Sequence, residues 1–175
     1  MIISVEKAKS LISFPNWTDE KIEMKLKAVE QTIRAYTNNN FQDQDYRRTA
    51  DIVGGLFIVE ALTPFDIGDT VQISESRKNK GLFTVASADD STFTVEEETV
   101  KDEKDVLVTK VVYPADVVDC CVNLMEWEVN NRGKVGIKSE TLSRRSVTYE
   151  DSASMFLGYP TSLLGCLKHY RKCRC

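Results

Sequence analysis

The spacing of apolar residues changes twice along this 175-residue chain, and that change limits the fold more than any single motif. Between about Tyr46 and Val112 apolar and polar residues alternate, the period of a half-buried strand. On either side they recur at steps of three and four, the period of an amphipathic helix. A strand-patterned block within a helix-patterned chain predicts an α+β protein. The expected form is a small helical bundle built from N-terminal helices, a long central helix and a short C-terminal helix, carrying an inserted small β-barrel-like section. Residues 1–45 and 113–175 form the helical part, with an extended arm at 135–149, and 46–112 the inserted β-rich subdomain.

Local signals place the elements. Ser4 is positioned to cap a short helix to about Ser13, with Val5, Ala8, Leu11 and Ile12 on one face, before Pro15 interrupts it. Thr18 precedes a longer helix with Asp19 and Glu20 in its first turn, where the helix dipole favours anions. Its stripe is Ile22, Leu26, Val29, Ile33 and Tyr36, and Asn38, Asn39 and Asn40 end it. In the middle block, Gly54-Gly55 is a two-residue hairpin signal. Val71 and Ile73, Phe83 and Val85, Phe93 and Val95, and Val106 and Val108 mark further strands, giving five or six in a small barrel or curled sheet. Acidic residues crowd from Asp89 to Asp105, as a solvated loop face or a binding surface.

Pro114 suits the first turn of the next helix, to about Asn131. Asp116, Asp119, Asn123, Glu126 and Asn130 form one polar line, while Val117, Val118, Cys120, Cys121, Val122, Leu124, Met125, Trp127 and Val129 are apolar. Such a helix needs cover on several sides, from its own domain or from a neighbouring subunit. The tentative subunit interface is Val118, Val122, Met125, Trp127 and Val129, joined by Ile137 and Leu142. From Val135 to Tyr149 the chain is polar and extended, suited to a long exposed strand that pairs with another chain. Pro160 and Thr161 open a last short helix with Leu163, Leu164, Leu167 and Tyr170, and the tail after it is basic.

The totals exclude several classes. With 42% hydrophobic and 29% charged residues, wholesale disorder is not expected. A net charge of −4 lacks the basic excess of free-standing nucleic-acid binders. No N-terminal stretch has a signal-peptide layout, and no apolar run reaches the roughly 20 residues of a membrane span. A cytoplasmic site of synthesis follows as the expectation, with reduced thiols: Cys120 and Cys121 buried in a helix, Cys173 and Cys175 on an exposed tail. A metal reading of that tail needs two more ligands beside its Cys-x-Cys, and His169 is the single histidine. No phosphate loop, dinucleotide fingerprint or nucleophile–base pair is present, so catalysis, cofactor and metal are not expected.

Two blocks of sequence go further. The first is Glu6-Lys7-Ala8-Lys9 with the helix end Ile33-Arg34-Ala35-Tyr36-Thr37-Asn38-Asn39-Asn40-Phe41. The second runs from Tyr113-Pro114-Ala115-Asp116-Val117-Val118 through Asn123-Leu124-Met125-Glu126-Trp127, Lys134-Val135-Gly136-Ile137-Lys138-Ser139-Glu140 and Ser146-Val147-Thr148-Tyr149-Glu150. It closes with Gly158-Tyr159-Pro160 and Leu163-Leu164-Gly165. In order and spacing these resemble the head–tail connector, or adaptor, family of long-tailed bacteriophages (siphophages). The resemblance implies a virion structural protein assembled in the host cytoplasm: a homo-oligomeric ring, usually of twelve subunits, under the portal in the neck. Such a ring joins the next neck or tail-completion protein, and double-stranded DNA passes through it without specific binding. By carry-over, portal docking falls to Ser143, Arg144, Arg145, Val147 and Tyr149, with Lys168, Arg171, Lys172 and Arg174 of the basic tail. The segments Gly68-Asp69-Thr70-Val71-Gln72-Ile73 and Gly81-Leu82-Phe83-Thr84-Val85 are similar to small barrels inserted in other neck and tail proteins; the shortest family members have only a loop there. Two alternatives remain: a tail-completion or stopper protein of the same neck, and a small nucleic-acid-binding module using the basic tail.

Overall fold

The computed structural model describes residues 1–97, 99–131, 139–142, 145–148 and 155–173, of 139–142 and 145–148 the backbone alone. The protein is of mixed α+β class and divides into two compact units, Met1–Asn39 with Tyr113–Cys175, and Asn40–Val112.

In the first unit, α1 (Val5–Leu11) and α2 (Asp19–Thr37) start on the expected caps. Ser4 Oγ accepts from Lys7 N at 3.2 Å and Thr18 Oγ1 from Lys21 N at 3.3 Å. Each cap is worth about 1 kcal/mol over alanine. The helix α1 ends earlier than Ser13, because Ile12 is already extended. Ile22, Leu26, Val29 and Ile33 of α2 are fully buried, each stabilising by about 1.5–3 kcal/mol. Asn38 then takes the left-handed conformation (φ 47°) that stops the helix.

The helix expected to be long and central, α3 (Ala115–Asn131), has 17 residues against 19 in α2. It packs on α2, and its Val117, Cys121, Leu124 and Met125 are all buried. Pro160 does not open a helix. Met155–Phe156 and Tyr159–Pro160 form a tight two-stranded pair, turns follow, and a 3₁₀ helix spans Gly165–Tyr170. That helix packs on both α2 and α3, with Leu164 and Leu167 fully buried.

The second unit is a closed barrel of six antiparallel strands: β1 (Gln42–Val53), β2 (Leu56–Val59), β3 (Thr70–Ser74), β4 (Gly81–Ala88), β5 (Thr92–Val95) and β6 (Glu103–Val111). Their order around the barrel is β1-β2-β5-β4-β3-β6. Closure leaves no open edge to recruit another chain. The strand pattern begins at Gln42, ahead of the expected Tyr46, because β1 and β6 pair from Gln42↔Val111 onward with two register shifts. Gly54 and Gly55 lie at φ 59° and 83°, the doubly positive turn a two-residue hairpin needs, with Val53 opposite Leu56. Alternation sends Ile52, Phe57, Val71, Ile73, Val85, Phe93, Val106 and Val108 inward. Phe57 and Phe93 stack at 4.5 Å, and Phe65 meets Phe93 edge-on at 5.2 Å.

The arm differs from the expected single strand. Ser139–Leu142 (β7) and Arg145–Thr148 (β8) pair antiparallel, with Leu142 opposite Arg145. A hairpin gives both strands backbone partners that a lone extended arm would leave unpaired.

Candidate interaction surfaces

The helix α3 presents three sides. Its Val117, Cys120, Cys121, Leu124 and Met125 positions are fully buried. Met125, expected at a subunit interface, has no exposed surface in the single chain. Val118, Val122 and Val129 are half-buried and lie at steps of four and seven on one line of the helix. Exposed Asp119, Asn123, Glu126 and Asn130 run beside them. Trp127 is half-buried and rests on Tyr159, with ring centroids 5.5 Å apart. Of the remaining expected interface residues, Leu142 ends β7 and Ile137 lies outside the described residues.

The basic end of the chain is held in place. Lys172 N donates to Thr37 O at 2.8 Å. Asn38 Nδ2 donates to Lys172 O and Cys173 O, both at 3.3 Å, and Asn39 Nδ2 to Tyr170 O at 3.3 Å. The Arg171 guanidinium sits 5.3 Å over the Tyr36 ring. Tyr170 Oη donates to Asp116 Oδ1 at 2.7 Å, and His169 Nε2 is 3.3 Å from Asp116 Oδ2. The Tyr170 bond holds the Asp116 carboxyl below its usual range and pushes the Tyr170 phenol up. The exposed tail thus becomes a fastened segment, which leaves Lys168, Arg171 and Lys172 exposed. Arg171 and Lys172 lie at the C-terminal end of α2, where the helix dipole favours cations. Of the other expected docking residues, Arg145 and Val147 are in β8, opposite Leu142 and Glu140. Ser143, Arg144, Tyr149 and Arg174 lie outside the described residues.

Two buried carboxylates in the helical unit were not singled out from sequence. Glu128 is 2% exposed and pairs with Lys25 of α2. Glu30, at 4%, accepts from Tyr113 Oη at 2.5 Å, and the Met1 amino group lies 3.6 Å from its other oxygen. Arg34 Nη1 donates to the same phenol oxygen at 3.3 Å. Burial first, then Glu30, pushes the Tyr113 phenol far up and keeps it a donor. Burial likewise pushes the Cys121 thiol up to about 12, with Glu30 adding to it. The signal was available: Glu128 falls at the helical step of the buried positions Cys121 and Leu124, where a charge requires a partner.

The acidic run on the barrel serves its own loops. The Glu103 carboxylate accepts from Ser76 Oγ at 2.6 Å, Arg77 N at 2.7 Å, Lys78 N at 3.2 Å and Asn79 Nδ2 at 3.0 Å. These bonds, led by Ser76, hold its carboxyl below the usual value. Asp102 Oδ1 accepts from Gly54 N at 2.7 Å and Glu97 Oε2 from Thr84 N at 3.2 Å. On the barrel's outer surface Val53, Leu56 and Ile58 are exposed together on the first hairpin.

Among the described residues no three His, Cys, Asp or Glu side chains are grouped to hold a metal ion, and no helix is long and apolar enough to cross a membrane. No protein-family model matches the chain, and no curated protein matches it in sequence.

Proposed function

We propose that this chain is a non-enzymatic structural subunit of the neck of a long-tailed bacteriophage, one copy of a ring beneath the portal that extends the DNA channel and joins head to tail. In this reading the helical unit plays the part of the connector family's small helical bundle, and the barrel is an insert in it. The observation that carries the proposal is that the helical unit bears two unlike surfaces. One is the half-covered valine line of α3; the other is the fastened basic segment with Lys168, Arg171 and Lys172 exposed. A ring closed by rotation needs dissimilar patches that meet head to tail. An apolar line suits the contact between copies, and an exposed cationic segment suits an oriented dock on another protein. The protein acts without a cofactor, and DNA slides through the ring without specific binding.

Light scattering on the chain alone and with the portal protein of the same genome tests this. A mass that is a multiple of the chain's, or a stable complex with the portal, is the expected result. Charge reversal at Lys168, Arg171 and Lys172 is expected to weaken portal binding at least about tenfold. A chain that neither self-associates nor binds the portal would sink the proposal. The closed barrel favours one second reading, a stopper or tail-completion protein of the same neck, since small barrels are frequent there. Such a protein binds a preformed connector ring and ignores the portal. The nucleic-acid module predicts instead DNA affinity that falls steeply with salt.

A further inference from the structure

The thiols of Cys120 and Cys166 sit on different elements, α3 and the 3₁₀ helix, 46 positions apart in numbering. Both donate to a single acceptor, the carbonyl oxygen of Leu163, at 3.4 and 3.7 Å. Their environments differ. Cys120 is wholly buried against the helical core, whereas Cys166 is exposed. Core packing accounts for a small apolar side chain at position 120 but not for a thiol on the solvent side of the same carbonyl.

We propose that Cys120 and Cys166 form a reversible oxidation site, in which hydrogen peroxide converts the pair to a disulfide that staples the C-terminal segment to α3. Cys166 is the thiol that an oxidant in solution reaches. Its thiolate attacks one peroxide oxygen, the O–O bond breaks, and hydroxide leaves with Cys166 as a sulfenic acid. Cys120 sulfur then attacks the Cys166 sulfur. The S–O bond breaks and the Cys120 proton leaves with the oxygen as water, so two thiols and one peroxide give one disulfide and two waters. Burial, and then Cys166 itself, pushes the Cys120 thiol up. That argues against Cys120 as the first nucleophile and leaves it to act second. Because Leu167, Lys168 and Tyr170 follow Cys166 directly, the bond restrains the segment that carries the exposed cations. The proposal is independent of the role in a phage neck.

The test uses the full chain with Cys173→Ser and Cys175→Ser, which leaves three thiols. After treatment with hydrogen peroxide, the protein is denatured, alkylated and mapped by mass spectrometry. The expected result is one remaining alkylatable thiol, Cys121, and a peptide pair linked between Cys120 and Cys166 that dithiothreitol separates. Trypsin cleavage after Lys168, Arg171 and Lys172 is expected to slow at least about tenfold on oxidation, as local opening is restrained. Adding Cys166→Ser, at an exposed position that leaves the core intact, removes both effects. A link through Cys121, or a Cys166 that proceeds to sulfinic acid while Cys120 stays alkylatable, would overturn the proposal. Unchanged proteolysis with the bond formed would remove the restraint on the tail.

Discussion

At the centre of the barrel Phe57 and Phe93 stack among aliphatic side chains, whereas the interior of the helical unit holds two carboxylates, Glu30 and Glu128. Both interiors are closed to water, but by different means. The barrel's backbone groups are paired around a closed ring of strands, so its core can be wholly apolar. In the helical unit, α2 and α3 carry a charged pair between them, Lys25 with Glu128, and Glu30 and Arg34 of α2 bond Tyr113 just ahead of α3. A buried ion pair adds little net stability, but an arrangement of the helices that separates it leaves a buried charge uncompensated. The comparison teaches that the barrel is held by volume and the helical unit by volume plus register.

Three experiments break or sharpen that contrast. The largest effect is expected from Phe93→Ala. It removes the ring that contacts both Phe57 and Phe65, and is expected to destabilise the barrel by about 3–5 kcal/mol. Denaturant unfolding followed by amide exchange in each unit would measure it. A loss below about 1 kcal/mol would mean the barrel core is not held by packing. Next comes Lys25→Met, expected to cost about 2–3 kcal/mol by taking the cation away from the buried Glu128 carboxylate; partial exposure of Lys25 keeps the cost below that of a fully enclosed pair. The double change Lys25→Met with Glu128→Leu should recover most of that loss. If single and double variants lose the same amount, the pair is not what aligns α2 and α3.

The smallest effect concerns pH and belongs to the barrel's loops. The Glu103 carboxyl is held below its ordinary value of 4.5, chiefly by the Ser76 hydroxyl and the Arg77 amide. A depressed folded value stabilises the native state above the unfolded value, and that contribution disappears as pH falls through the folded one. Glu103→Gln should therefore be less stable than the native chain above about pH 4.5 and converge with it in more acid solution. Thermal melts at several pH values check this. A gap that widens on acidification would reverse the sign and remove Glu103 as the anchor of the loop between β3 and β4.

Legibility in the sequence followed how local each determinant is. The α2 stripe, its Thr18 cap, its stop at Asn38 and the Gly54-Gly55 turn depend on residues within a few positions of each other, and all were readable. The same holds for the inward set Val71, Ile73, Val106 and Val108. Cys166 next to Cys120, Lys25 next to Glu128 and Asn38 beneath Lys172 were not readable, since each pairs residues 46 to 134 positions apart. The arm was read as one strand because a polar, β-prone stretch looks alike whether extended or folded back on itself. For the interaction surfaces, apolar residues of α3 were legible as a group. Their division into buried Met125 and half-covered Val118, Val122 and Val129 was not, because every position on a nearly all-apolar helix carries the same pattern.

By itself, then, the sequence determined where helix gives way to strand and back again, which residues of β3 and β6 turn inward, and how α1 and α2 begin. Steric preference, capping and period act over a single turn or pleat, so they survive in the order of residues alone. Only the tertiary structure decided that the six strands close with β5 between β2 and β4, that two carboxylates lie in the helical core, and that the basic segment is fastened to the end of α2. Those outcomes depend on which distant surfaces meet. They are set by burial and by the demand that every enclosed polar group find a partner, conditions that no local pattern encodes.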